Sequence, residues 1–141
     1  MIRVRYGVMR PGGTGRPKPS REAEQQYEAD VALAGRRPEL LDAAREAEAR
    51  FRAAQARHAP DTEVRRLAED FDAALTAAMR AAYAAQRAEI GPRGYDDRIF
   101  RRKARATPRV HALTAEAEHL LTLRETHRLN DIPAVAYDPA P

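Results

Sequence analysis

Glu116 and His119 form the chain's one Glu-x-x-His on a helical stretch. That spacing projects two metal ligands to the same side of a helix in carboxylate-bridged di-iron bundles. Such a site needs a second pair of the same kind and two further carboxylates from other helices. Glu69, Asp70 and Asp72 offer carboxylates, but no second Glu-x-x-His exists. The pair therefore reads as a solvated helix face, and no metal or other cofactor is expected. His111, His119 and His127 are spaced by eight, a rotation of ~80° per step on a helix, so they do not converge on one ion. His58 falls on an apolar seam, where an imidazole packs more often than it acts as a base.

Other routes to chemistry are equally thin. Hydroxyl residues are few, and Ser20 sits where a helix cap is expected instead of in a nucleophile turn. Gly12-Gly13-Thr14-Gly15 lacks both the Gly-Lys-Ser/Thr ending and the preceding buried strand of a phosphate loop. Carboxylates alternate with Arg at helical spacing, as in Glu46 with Arg50 and Glu48 with Arg52. Pairs of that kind stabilise a solvent face by a few tenths of a kcal/mol. There is no Cys, which removes disulfides, thiolate catalysis and Cys-based zinc sites. No catalytic residue, enzyme activity or small-molecule substrate is expected.

The functional candidate is basic. Arg98, Arg101, Arg102 and Arg105 lie close together on a short helix, with Lys103 and Arg109 alongside and Tyr95 or Phe100 adjacent. Such a group can meet phosphates. Residues 1 to 20 carry Arg3, Arg5, Arg10, Arg16 and Lys18 with no acid, a charge of +5. Residues 91 to 110 also sum to +5, and the rest of the chain to −6 against a total of +4. Two partners fit this pattern: an anionic macromolecule, or the chain's own acidic stretch at Glu69, Asp70 and Asp72. Only two of the 25 basic residues are Lys, so the Arg and Ala bias is assigned to a GC-rich genome and Arg counts alone carry little weight. No helix-turn-helix, RNP motif or zinc finger points to sequence readout.

Helices must position all of this. Asp61 to Ile90 contains no Pro or Gly and places Val64, Leu67, Phe71, Leu75, Ala78 and Ala82 on one stripe of a 3.6-residue period. Asp61 is the expected N-cap, and Gly91-Pro92 the stop. Before it, Leu40, Ala44, Ala47, Phe51, Ala54 and His58 alternate by four and three in a heptad-like seam, and Ala59-Pro60 makes a short turn. The spacing predicts a long antiparallel hairpin flanked by helices: about 20–34, 38–58, 61–90, 96–105 and 108–129. The first of these places Tyr27, Val31 and Ala34 on its apolar side. The last places Val110, Leu113, Ala117, Leu120, Leu121 and Leu123 there. Residues 1–19 read as a basic extended arm and linker, and 130–141 as an extended tail.

The reading is a mainly α helical bundle of one domain with extended terminal arms. The 141 residues hold no Trp and few bulky side chains, so a thick solitary core is hard to assemble. Leu40, Ala44, Ala47, Phe51, Leu67, Phe71 and Leu75 are the expected helix-packing surface. The expected function is non-catalytic: an assembly subunit that binds copies of itself or a larger complex. The alternative is a non-specific nucleic-acid-binding protein working through the 1–20 arm and the Arg98–Arg109 cluster. No apolar run spans a bilayer and no signal-peptide core opens the chain, so no membrane is expected and the cytoplasm is the default location.

Overall fold

The computed structural model describes residues 18–132. Of the expected arms, residues 1–17, with Arg3 and Arg5, and 133–141 lie outside the described residues. Six helices follow one another: α1 (Arg21–Gly35), α2 (Arg37–Ala56), α3 (Asp61–Ile90), α4 (Arg93–Asp96), α5 (Arg98–Arg105) and α6 (Pro108–Asp131). The protein is a mainly α helical bundle, and no strand occurs among the described residues. None of these helices is long and apolar enough to cross a membrane.

Local chemistry sets most boundaries. Ser20 caps α1, its side chain accepting from the Ala23 amide at 3.0 Å, with Glu22 and Glu24 in the first turn. A single residue, Arg36, separates α1 from α2, and Pro38 sits where the first turn tolerates it. α2 stops at Ala56, short of the expected His58. The Ala59 amide donates to the Ala54 carbonyl at 3.0 Å, and this closure puts His58 in the left-handed region at φ 55°. His58 is consequently exposed in the turn and does not lie in the seam.

α3 begins one residue earlier than its expected cap requires. Pro60 occupies the cap position and Asp61 is already helical, without a side-chain cap bond. Its end is the expected one: Gly91 takes φ 97°, ψ 173°, a region open to Gly. The helix expected over 96–105 is preceded by the turn α4 and starts at Arg98. The break falls at Asp97, whose extended backbone lets its carboxylate accept from the Phe100 amide at 2.9 Å. α6 runs on to Asp131 instead of ending near Leu129.

The long helix is the spine. α1, α2 and α6 each pack against α3. Asp30 of α1 meets Arg87 of α3, and Phe51 of α2 meets Phe71 of α3. On α6, Thr114 meets Gln86 and Arg128 meets Asp72, so sequence numbers rise along α6 as they fall along α3. The interior follows from residue size. Ala78, Ala81 and Ala84 are 0% exposed, and such small side chains let neighbouring helices approach closely. Bulk is concentrated where Phe51, fully buried, meets Phe71 and the His127 ring. Ala44, Ala47, Phe51, Phe71 and Leu75 are buried in this chain's own core, with Leu40 and Leu67 packed half-buried against it.

Two faces differ from the periodicity reading. On α1, Ala23 and Asp30 turn inward while Val31 is exposed, because Asp30 gains a buried ion pair there. On α6, Val110, Leu113, Ala117 and Leu120 turn inward as expected, joined by His127, while Leu121 is half-buried and Leu123 exposed.

Candidate functional site

α2 and α6 both lie on α3 yet approach each other only through side chains. Arg37 forms a two-bond ion pair with Glu116, at 2.6 and 3.1 Å, near the start of α2. Phe51 packs on His127, and Arg52 reaches Asp131 at 3.6 Å, near its end. Between these closures a trough of about 270 Å³ stays open. Ala44, Phe71, Leu75 and Leu120 supply its buried apolar lining, and Leu41, Arg45, Glu48, Glu116, His119 and Leu123 complete it. Leu123 is 40% exposed.

The Glu-x-x-His residues thus both line this trough. Glu116 is engaged by Arg37, whose hydrogen bonds hold its carboxyl below the usual range against the opposing effect of burial. His119 is exposed on the trough's edge. Among the described residues no group of three His, Asp or Glu side chains comes together. The arrangement offers apolar side-chain seats with fixed ionic ends, a surface for packing.

The basic cluster splits. Arg101 is half-buried and donates to the Gly94 carbonyl at 2.6 Å, while Arg109 reaches Glu89 at 3.4 Å. Arg98, Arg102, Lys103 and Arg105 are exposed, and none forms an ion pair among the described residues. The cluster therefore does not dock on Glu69, Asp70 and Asp72. α5 packs on α3, α4 and α6, and Asp72 is taken by Arg128 at 2.6 Å. Tyr95 and Phe100 are half-buried: Tyr95 bonds Asp30, and the Arg93 guanidinium lies 4.5 Å over the Phe100 ring.

One contact between distant segments places this cluster. The Ser20 amide and hydroxyl donate to the two oxygens of Asp96 at 2.6 and 3.0 Å. Lys18 and Pro19 then line an open cleft of about 740 Å³ with Arg93, Asp96, Asp97, Arg98, Ile99 and Arg102. The nearby acids are both committed, Asp96 to Ser20 and Asp97 to Arg93 and the Phe100 amide. The Phe100 amide, helped by Arg93, holds the Asp97 carboxyl below its ordinary range.

Sequence reading missed a further polar group. Asp30, 9% exposed, accepts two bonds from Arg87, at 2.8 and 3.0 Å, and another from the Tyr95 hydroxyl. Burial raises its carboxyl, but the Arg87 and Tyr95 bonds outweigh that and hold it below the ordinary range. Burial, reinforced by the Asp30 carboxylate, pushes the Tyr95 hydroxyl up. This group ties α1, α3 and α4 at the end of the spine that carries α5. A signal was present: Ala23, Tyr27, Asp30 and Ala34 follow spacings of four, three and four, with an acid on an otherwise small or aromatic face.

Compared with family models, with curated proteins and with solved structures, the chain has no match.

Proposed function

We propose that this chain is a non-catalytic assembly subunit whose α2–α6 trough receives an apolar helix face of a second copy. One observation carries the reading: two helices share a spine without closing on each other, leaving Leu123 exposed above a buried apolar lining. Fully burying a leucine side chain contributes about 1.5–3 kcal/mol, so covering even a few positions along the trough favours association. A second copy is the partner because most soluble oligomers are built from identical chains. The Arg37–Glu116 pair at one end of the trough suits this role, since it is already satisfied within one chain and demands nothing from the partner.

Absence of Cys makes the test simple, because a substituted thiol is the only one present. In Leu123→Cys, alkylation by a bulky maleimide slows as protein concentration rises. In Leu129→Cys, at a position 83% exposed on the same helix, the rate stays constant. Equal, concentration-independent rates at the two positions contradict the reading.

A further inference from the structure

We propose that the exposed face of α5, together with the Lys18 approach to α1, is a binding surface for the phosphate backbone of a nucleic acid. This inference is independent of the trough. Arg98, Arg102 and Arg105 follow one another at steps of four and three, which places them on one helical stripe roughly 10 Å long. Lys103 is exposed as well, about 100° or more around the helix from that stripe. Three cations on one stripe, none of them in an ion pair, repel one another, and an anionic polymer relieves that repulsion while releasing its own counterions.

The fold adds a second source of charge. Ser20 is pinned to Asp96, which sets Lys18 in the cleft lined by Arg98 and Arg102. Lys18 and α5, some eighty residues apart in sequence, therefore adjoin in space.

Other partners fit this surface less well. Ile99, 68% exposed, is the one large apolar side chain on the face, too little for the apolar side of a membrane-bound helix. A protein interface needs an apolar centre, which is also missing. Tyr95 and Phe100 are occupied by Asp30 and Arg93, so no aromatic is offered for base stacking. The surface contacts backbone and does not read sequence.

The test is fluorescence anisotropy of the full chain with a labelled single strand and duplex of about 20 nucleotides, a length that covers several phosphate contacts. Affinity falls by about a hundredfold between about 50 and 200 mM salt, the slope expected for roughly four released counterions. Changing Arg98, Arg102 and Arg105 together to Ala reduces the log–log slope by about two to three. The control triple of Arg65, Arg66 and Arg80 to Ala removes the same charge from exposed positions on α3 and leaves the slope in place. Circular dichroism verifies that each variant is folded. Absence of binding at the lower salt overturns the proposal, as does an equal loss in the control. So does binding only to vesicles of equal phosphatidylcholine and phosphatidylserine.

Discussion

Phe51→Ala is expected to lower the free energy of unfolding by about 3–5 kcal/mol, read from urea denaturation monitored by circular dichroism. The ring is fully buried, 6.3 Å from Phe71 and 5.3 Å edge-on from His127. The surrounding interior is largely alanine, and alanines on packed helices have no rotamers with which to fill a void. A domain of this size is stable by only about 5–15 kcal/mol, so the loss removes much of the total. His127→Ala costs less on its own but in the same place. Its Nε2 lies 2.7 Å from the Ala68 carbonyl, its Nδ1 lies 3.0 Å from Asp131, and its ring centroid is 4.6 Å from Phe71. Because both variants empty one cavity, the double variant loses less than the sum, by about 0.5–3 kcal/mol. Simple additivity shows that the rings do not act as one cluster.

Asp30→Ala is expected to cost about 1.5–3 kcal/mol near neutral pH, since hydrogen bonds to a charged group are lost and the Tyr95 hydroxyl is left without its acceptor. Arg87, 42% exposed along its side chain, turns to solvent, which keeps the cost in the lower part of that range. The pH dependence follows the same group. The Asp30 and Glu116 carboxyls are held below their ordinary values in the folded chain, so the unfolded chain takes up protons first as pH falls. Their contribution is complete above the ordinary carboxylate range and is lost as pH drops through that range to the folded values. Asp30→Ala therefore flattens the acid limb of a plot of stability against pH. An unchanged limb contradicts the assignment.

These two sites also mark where sequence reasoning succeeds and where it stops. The stripe from Val64 to Ala82 and the seam from Leu40 to Ala54 were legible because apolar periodicity reports burial directly. Gly91 and Thr107-Pro108 were legible because few residues fit a helix stop or a first turn. Asp30, Arg87, Glu116 and His127 were not. A charged side chain looks alike in solvent and in a buried pair, and the partner of Asp30 lies 57 residues away. The contact between Ser20 and Asp96 is of the same kind: only tertiary structure brings Lys18 beside Arg98 and Arg102. Helix faces for self-packing and for a partner also share one periodicity, so the pattern did not separate the helix-packing residues, which lie in or against the core, from the open trough.

Light scattering across a concentration series addresses assembly most directly. The account predicts a mass that rises from 15.8 kDa to at least a dimer, and that stays at one chain when Leu41 and Leu123 are both changed to Glu. A wild-type chain of 15.8 kDa at every concentration, indistinguishable from that variant, contradicts it.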